Sequence, residues 1–405
     1  MKIHPSTSIS RAALLAASVF AIAATGRSAE TNSLKDAFKD HFYVGVAING
    51  RTARDQVGQT PDGALVKEQF NQIVSENDCK WESIQPRPGP NGYSFAAADN
   101  FVNFGLNNNM YIVGHTLVWH SQTPSWVFQG TNLPAGTTNM AENAAPARGR
   151  GGRGGGRGGI SGPRASREEV LQRMHDHIAT VVGRYKGKIK VWDVVNEAIA
   201  DGGNNILRDS PWTQTIGQDF IEKAFEYAHE ADPDAILRYN DYGLENPGKR
   251  RKLITLIKSL QEKHVPVMAI GTQTHVSVSS PTFEAEDRAL TEIEELGLPI
   301  HITELDVNGA QGGQRGGMLG DTAGAAAASQ GGLVSNADQR LATEYTALFK
   351  AFLKHKSVKV VTFWGVNDSA SWLRGASPLV FDGNDKPKAA FDALIRLAAE
   401  QPKAP

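Results

Sequence analysis

Short apolar runs alternate with helical patterns along most of this chain, and that alternation restricts the fold more than any other feature. Eight runs are predicted to be strands, at 42–48, 72–76, 111–117, 189–194, 235–240, 267–272, 299–303 and 358–363. Helical spacing of apolar residues follows each of them, near 62–70, 95–108, 166–185, 215–231, 247–263, 284–296, 337–355 and 388–399. This order predicts an α/β fold, a single (β/α)8 TIM barrel.

A doubly wound open sheet is the competing architecture, because counting strands does not separate the two. Nucleotide binding, a frequent function of such sheets, lacks its usual signals here. No G-x-G-x-x-G follows the first strand, and the chain has no G-x-x-x-x-G-K-[ST] motif. In a barrel, the chemistry lies where the strands end and the following loops begin.

Glycine is distributed unevenly. Of the 41 glycines, 17 fall within residues 147–159 and 308–332. The rest of the chain has ordinary glycine content. We therefore predict two glycine-rich loop insertions, about 130–165 and 308–335, after the third and seventh strands, at the end of the barrel where the strands end.

The N-terminus has the pattern of an export signal. Lys2 and Arg11 give a positively charged segment before an apolar stretch at 12–24, which is too short to span a bilayer comfortably. We expect residues 1–29 to be a signal peptide and 30–400 to be the domain that forms the barrel. The chain would then be periplasmic or extracellular, with no membrane attachment after signal removal. An uncleaved anchor is the alternative.

Charge and cysteine content exclude several classes of protein. Lys and Arg number 42 and Asp and Glu number 43, so the net charge of −1 argues against a whole-chain nucleic-acid binder. The single cysteine, Cys79, excludes an internal disulfide and a multi-cysteine metal site. His175 and His177 are two residues apart on a predicted helix and point to different faces. We expect no metal and no cofactor.

Two glutamates end predicted strands. Glu197 follows the fourth strand, and Glu304 follows the apolar run of the seventh. In an eight-stranded barrel these two strand ends face each other across one mouth. Two converging carboxylates suit glycoside hydrolysis, in which one protonates the leaving oxygen and the other attacks the anomeric carbon. Each glutamate taken alone could instead cap a helix or form a salt bridge.

The other strand ends carry polar and aromatic residues as well. Sugar sites need this mixture, because hydroxyl groups require fixed donors and acceptors and the apolar sugar faces stack on aromatic rings. Trp126 and Trp192 are expected to be packing residues. The segments that end the other strands are 76–82, 114–122, 240–242, 273–275 and 364–372.

These pieces, in this order, resemble glycoside hydrolase family 10, the (β/α)8 endo-β-1,4-xylanases. The similarity covers about residues 34–397, apart from the two insertions. The matching segments are 76–82, 114–122, 192–198, 273–275, 302–306 and 363–372, with 381–382 and 386–388 near the end.

The resemblance implies a role for each matching residue. Glu197 resembles the general acid/base and Glu304 the nucleophile. The supporting residues it implies are Asn196, which would bind the sugar 2-hydroxyl, and His275 and Asp306, which would keep the nucleophile ionised. The substrate-binding residues it implies are Glu76, Asn77, Lys80, His115, Trp119, Tyr242, Gln273, Trp364 and Trp372. Among these, Gln273 is expected to be a further polar partner near the nucleophile.

The resemblance also implies a reaction. A retaining endo-β-1,4-xylanase would act on xylan or xylo-oligosaccharides through a covalent glycosyl-enzyme, with the two carboxyl groups roughly 5–5.5 Å apart. We expect a monomer. Three positions depart from the family pattern: Gly243 stands where relatives often have Asn, Cys79 where Met is common, and Val113 where an Arg is often found.

Other functions remain as alternatives. The run 147–159 contains four arginines among glycines, and such segments bind RNA or other anionic polymers. An exported chain rarely meets RNA, so we expect no nucleic-acid partner. The barrel could also bind carbohydrate without hydrolysing it, or act on another β-glucan or a glycoconjugate.

Overall fold

The computed structural model describes Met1 and residues 33–130, 163–309 and 331–401. The predicted signal peptide, the arginine–glycine run and most of both glycine-rich insertions lie outside these residues. Two predicted boundaries fall inside them. The second insertion was expected to reach residue 335, but helix begins at Gly331, and Asn308 still belongs to a strand.

The described residues contain nine strands, all paired in parallel. Eight of them form a closed barrel in the order β6-β5-β4-β3-β2-β1-β9-β8, and β6 pairs with β8 to complete the ring. This confirms the predicted (β/α)8 barrel. The strands are β1 Tyr43–Ile48, β2 Gln72–Ser75, β3 Tyr111–Trp119, β4 Val191–Asn196, β5 Ile236–Asp241, β6 Ala269–Thr272, β7 His275–Ser277, β8 Ile300–Asn308 and β9 Val358–Phe363.

The ninth strand, β7, was not predicted. It has only three residues and pairs with the far end of β8, with His275 opposite Asp306. Three residues are too few to give an alternating pattern in the sequence.

Helices cover the outside of the barrel. Each of the eight predicted helical stretches corresponds to one of them, and none of the described helices is long and apolar enough to cross a bilayer. The helices are α1 Leu34–Ala37, α2 Gly50–Ala53, α3 Pro61–Gln69, α4 Trp81–Ile84, α5 Ala96–Asn107, α6 Arg167–Arg184, α7 Pro211–Thr215, α8 Phe220–Ala231, α9 Pro247–Glu262, α10 Phe283–Glu294, α11 Gly331–Lys354 and α12 Ala389–Ala399.

The helix expected from residue 215 starts later. Gly217 has a φ of +109°, a conformation that a helix interior does not accommodate, and α8 begins only at Phe220. The short helix α7 ends before this break, at Thr215.

Strand side chains alternate between two environments. One face of each strand packs against the helices in a large hydrophobic core that includes Trp192. The other face lines the barrel, where Val74, Val113 and Val191 form a small apolar cluster. At Gly114 a Cβ atom would lie 2.2 Å from the Trp192 ring, so only glycine fits beside that indole.

A buried layer of charged side chains crosses the barrel interior beneath the strand ends. Arg238 donates from Nε to Oδ1 of Asp193 at 2.6 Å, and Nδ1 of His115 lies 2.9 Å from the other oxygen of that carboxylate. Burial opposes the charge on Asp193, but Arg238 and His115 outweigh it and lower the pKa of Asp193 to about 2. Because this layer is fully paired, it gives a fixed base to the groups above it.

Candidate active site

Strand register brings the predicted site residues together. Trp119 on β3 lies opposite Asn196 on β4, which in turn lies opposite Asn240 on β5. The next residue, Glu197, donates its backbone N–H to the Asn240 carbonyl at 2.9 Å. Glu304 lies within β8 and donates its N–H to the Gln273 carbonyl at 3.0 Å. Both glutamates therefore lie at the carboxyl end of the barrel.

Each carboxylate oxygen of Glu197 accepts a hydrogen bond from a neutral donor. The indole Nε1 of Trp119 donates to Oε2 at 2.8 Å, and Nε2 of Gln273 donates to Oε1 at 2.9 Å. The backbone of Glu197 has a φ of +57°. A residue other than glycine is strained in this conformation, and the surrounding structure must offset the strain. Such strained residues occur often in active sites.

Glu304 has different partners. It is 5% exposed and accepts hydrogen bonds from Nδ2 of Asn240 at 2.9 Å and from Nε2 of His275 at 3.2 Å. Burial by itself would raise the pKa of Glu304. The hydrogen bond from His275, together with the positive charges of His115 and His275, opposes that effect and holds the pKa below its ordinary value. Glu304 is therefore ionised at neutral pH.

His275 lies between two carboxylates. Its Nδ1 is 3.0 Å from Oδ2 of Asp306, on the opposite side of the ring from Glu304. Burial disfavours the charged ring, but Asp306 and Glu304 outweigh it and raise the pKa of His275 to about 10. The same Asp306 oxygen accepts from Nε1 of Trp372 at 2.6 Å. The structure thus brings His275 and Asp306, the two residues of the predicted supporting network, to Glu304.

A chain of amide groups connects the two glutamates. Oδ1 of Asn196 accepts from Nδ2 of Asn240 at 2.9 Å and from Nε2 of Gln273 at 3.3 Å. Gln273 then reaches Glu197, and Asn240 reaches Glu304. Gln273 was expected to be a polar partner near the nucleophile. Its backbone carbonyl accepts from the N–H of Glu304, and its side chain donates to the other glutamate.

A cationic group lies beside this pair. Lys80 donates from Nζ to Oδ1 of Asn77 at 3.2 Å and to Oε1 of Gln122 at 2.9 Å, and its Nζ lies 4.8 Å from the ring centroid of Trp119. Burial lowers the pKa of Lys80, while the carboxylates of Glu304, Glu197 and Glu76 oppose that shift.

Glu76 sits at the edge of the same group. Burial raises its pKa to about 7, although Lys80 pulls in the opposite direction. The sequence placed Glu76, Asn77 and Lys80 together at the end of the second strand, and the structure keeps them together.

Aromatic side chains form walls around the carboxylates. The ring of Trp364 has its centroid 5.6 Å from that of His115 and 6.3 Å from that of His275. Trp372 lies 5.2 Å from His275 and is 38% exposed, so part of its ring faces solvent. By contrast, Trp192 is fully buried and Trp126 packs against the core, as predicted.

Tyr242 lies further from the carboxylate pair. Its hydroxyl donates to Oδ1 of Asp201 at 2.6 Å and accepts from Arg208 at 2.8 Å. Nζ of Lys249 lies 3.3 Å from its ring centroid. The adjacent Gly243 has a φ of +66°. Glycine and asparagine both adopt this left-handed conformation, so the departure at Gly243 preserves the backbone turn.

Several contacting residues were not among the predicted site residues. Asn240 and Gln122 lie inside segments predicted to end strands, and that position is the signal that could have identified them. Arg208, Asp201 and Lys249 gave no such signal, because they come from a hairpin and from helix α9. Cys79 is buried, in keeping with a packing role.

The described residues contain no group of three or more His, Cys, Asp or Glu side chains arranged to hold a metal ion. His175 and His177 have separate environments. His177 is buried and stacks on Trp81 at 3.8 Å, whereas His175 lies near Glu230 at the surface.

Known proteins share this architecture. The sequence profile of glycosyl hydrolase family 10 matches residues 33–397. A β-1,4-xylanase from Dictyoglomus thermophilum is 36% identical over 91% of this chain and 92% of its own length. An endo-1,4-β-xylanase from Geobacillus stearothermophilus is 37% identical over 90% of this chain and 98% of its own length.

Solved structures agree. A family 10 endoxylanase from a sugarcane soil metagenome superposes with a TM-score of 0.73 at 35% identity, covering 91% of this chain and 99% of that one. A xylanase of Thermoanaerobacterium saccharolyticum, described as intracellular and crystallised with xylotetraose, gives a TM-score of 0.72 at 36% identity, covering 89% and 98%. With its barrel, its two strand-end glutamates and these matches, the chain belongs to glycosyl hydrolase family 10 and is a glycoside hydrolase.

Proposed function

We propose that this chain is a retaining endo-1,4-β-xylanase. The observation that carries the proposal is that the two glutamates have different hydrogen-bonding partners. Glu304 is held ionised by a charged His275, whereas Glu197 is bound by neutral donors. A retaining mechanism needs this division, with one ionised nucleophile and one carboxyl that exchanges a proton.

In the first step, a carboxylate oxygen of Glu304 attacks the anomeric carbon, and the bond from that carbon to the leaving oxygen breaks. Glu197 gives its proton to the leaving oxygen, so the shortened chain departs as an alcohol. In the second step, Glu197 takes a proton from water, and the resulting hydroxide attacks the same carbon. Glu304 is released, and the configuration at that carbon is retained.

The substrate assignment rests on the relatives, which are named as xylanases, and on the surroundings of the carboxylates. Oδ1 of Asn196 accepts two protein hydrogen bonds, so its N–H groups remain to donate to a sugar 2-hydroxyl. Lys80, Glu76, Asn77 and Trp372 would contact the non-reducing part of xylan. His115, Trp119, Trp364 and Gln273 would surround the cleaved bond, with Tyr242 beyond it.

The test has two parts. Reducing-sugar release should be fast on xylan and slow on carboxymethyl-cellulose, whose glucose units carry a C5 substituent that xylose lacks. Proton NMR of the first product from a xylo-oligosaccharide should show the β-anomer before mutarotation. An initial α-anomer would rule out the retaining mechanism.

Variants connect the activity to the two carboxylates. Glu197→Gln and Glu304→Gln should each lower kcat on xylan by at least about 10²-fold, because general acid–base and covalent catalysis contribute about that much or more. Circular dichroism and thermal unfolding should remain close to wild type. Near wild-type activity in either purified variant would contradict the assignment.

We also propose that the protein is exported and acts as a monomer. Export is supported by the N-terminal charge and apolar pattern, which the sequence alone provides. Cell fractionation with N-terminal sequencing of the mature chain tests the first proposal, and light scattering of the purified enzyme tests the second. A cytoplasmic, uncleaved chain would overturn the first, and a dimer the second.

A further inference from the structure

The backbone around and after Glu197 is held by side chains from strand β5 and from the far arm of the hairpin that follows it. Residues 198–208 form a hairpin in which the N–H of Arg208 donates to the Ala198 carbonyl at 2.7 Å and the N–H of Ala200 to the Ile206 carbonyl at 2.9 Å. The tip of this hairpin, residues 201–206, is mostly exposed. A free hairpin of this kind would not by itself hold the preceding residue, Glu197, in its left-handed backbone conformation.

Three successive backbone groups at the base of the hairpin have side-chain partners. The carbonyl of Glu197 accepts from Nε of Arg208 at 3.2 Å. The N–H of Ala198 donates to the hydroxyl of Tyr239 at 3.1 Å, and that of Ile199 to Oδ2 of Asp241 at 3.2 Å. The last two partners lie on strand β5. Arg208 comes from the far arm of the hairpin itself.

Arg208 is fixed in turn by a network at the rim. It donates to the Tyr242 hydroxyl at 2.8 Å and pairs with Asp201 at 3.0 Å. The other oxygen of Asp201 accepts from Nζ of Lys249 at 2.9 Å. Lys249 is nearly buried and also pairs with Asp241 at 2.9 Å. The guanidinium is thereby linked to β5 and helix α9, two fixed parts of the barrel.

From this geometry we propose that Arg208 is a positioning residue for the general acid/base. It holds the carbonyl of Glu197, and with it the left-handed backbone that aims the carboxyl at the leaving oxygen. Asp201, Tyr242 and Lys249 hold Arg208 in place. The proposal rests on the acid/base role of Glu197 given above.

A positioning role for the acid has a specific kinetic consequence. A leaving group of high pKa needs a proton from Glu197 in the transition state, whereas a dinitrophenolate departs without one. Misplacing the acid should therefore slow the cleavage of substrates whose leaving group has a high pKa. The cleavage of dinitrophenyl substrates should change little. A defect in folding or in general substrate binding would slow both equally.

The variant to make is Arg208→Met, which keeps the length of the side chain and removes its donors. We expect kcat/KM to fall about 10- to 100-fold on phenyl β-xylobioside, since a displacement of the order of an ångström in a catalytic group has such an effect. For 2,4-dinitrophenyl β-xylobioside the fall should be less than about 3-fold. Arg208→Lys, which can still reach the carbonyl with one donor, should recover part of the loss.

Arg167 provides a matched control. Its guanidinium also pairs with an aspartate, Asp219, and also donates to a backbone carbonyl, that of Ile216. Arg167→Met should leave kcat/KM unchanged for both substrates. If Arg208→Met lowered kcat/KM equally for the two substrates, or for neither of them, the proposal would be overturned.

The outcome is separable from the proposed function. If the wild-type enzyme prefers a glycan other than xylan, the same comparison can be made with aryl glycosides of that sugar. Conversely, if Glu197→Gln shows no dependence on the leaving group, then Glu197 is not the acid and the proposed mechanism fails. If Glu197→Gln shows that dependence and Arg208→Met does not, only the positioning role fails.

Discussion

The Nε2 atom of His275 lies 3.2 Å from Oε2 of Glu304. Both side chains are largely shielded from solvent, so their charges act on each other with little screening. A positive ring at this distance favours the anionic form of Glu304, and Asp306 on the other side of the ring keeps that ring charged. This contact favours the ionised form of Glu304, and Glu197 has no such charged partner among its described hydrogen-bond donors.

Replacing the ring should change the pH profile. His275→Asn removes the positive charge that lowers the pKa of Glu304, so that pKa should rise. Because Glu304 acts as an anion, acidification should abolish the activity of the variant at a higher pH than that of the wild type. We expect the acid limb of kcat/KM to move up by about one pH unit or more. A pH–rate profile on a soluble xylo-oligosaccharide measures it.

His355 offers a control with similar chemistry away from the site. Its Nδ1 lies 2.9 Å from Glu294 and its Nε2 lies 2.9 Å from Asp287. His355→Asn should lower the thermal stability and leave the acid limb where it is. An unchanged acid limb in His275→Asn would show that the charge on His275 does not set the ionisation of Glu304.

Asn240 gives a second prediction. Its Nδ2 donates to both Asn196 and Glu304, and it is fully buried. Asn240→Asp has the same shape, but it replaces the donor with an oxygen and places a like charge beside Glu304. We expect kcat on xylan to fall by about 10²-fold, since a misplaced or protonated nucleophile has an effect of that order.

The matched change is Asn108→Asp, since Nδ2 of Asn108 also donates twice, to the carbonyls of Phe104 and Gln56. This residue lies outside the cleft, so only stability should respond. If Asn240→Asp retained wild-type kcat, the amide chain between the two glutamates would have no role in catalysis.

Glu76 predicts a dependence of stability on pH. Burial raises its pKa to about 7 from an ordinary value of 4.5. A carboxyl with a raised pKa in the folded state stabilises the fold below its unfolded pKa, and that contribution is lost as pH rises through the folded pKa. Glu76→Gln removes this loss, so the variant should gain in Tm relative to wild type at about pH 8 and not at about pH 4.

Glu344, whose pKa burial also raises to about 7, separates stability from binding. Glu344→Gln should show the same trend in Tm, with no change in KM for xylohexaose. Glu76→Gln should raise KM, because Glu76 lies among the proposed substrate contacts. A pH-independent difference in Tm for Glu76→Gln would contradict the shift.

The sequence predicted the barrel and the two glutamates for a physical reason. Buried parallel strands need continuous apolar runs, and a charged residue that ends such a run is conspicuous. Glu197 and Glu304 both end one. The same reasoning reaches Asn240, but hydrogen bonding between Asn240 and Glu304 depends on the register of non-adjacent strands, which the sequence does not show.

The support for Glu197 was beyond the reach of sequence patterns. Arg208 lies eleven positions after Glu197 in a polar stretch, and Lys249 lies 41 positions later still, in the first turn of helix α9. Nothing in their spacing indicates that they share Asp201. Their proximity follows from the way the hairpin folds back over β5, which is a tertiary effect. The contact of the Gln273 side chain with Glu197 likewise depends on the tertiary fold.

The central claim is that Glu304 forms a covalent bond with the sugar. A 2-deoxy-2-fluoro-β-xylobioside with a dinitrophenyl leaving group slows release of the glycosyl-enzyme more than its formation. After incubation, mass spectrometry of the intact protein should show the mass of one added 2-fluoroxylobiosyl group, and peptide mapping should place that group on Glu304. A label on another residue, or time-dependent release of dinitrophenol with no label on the protein, would contradict the account.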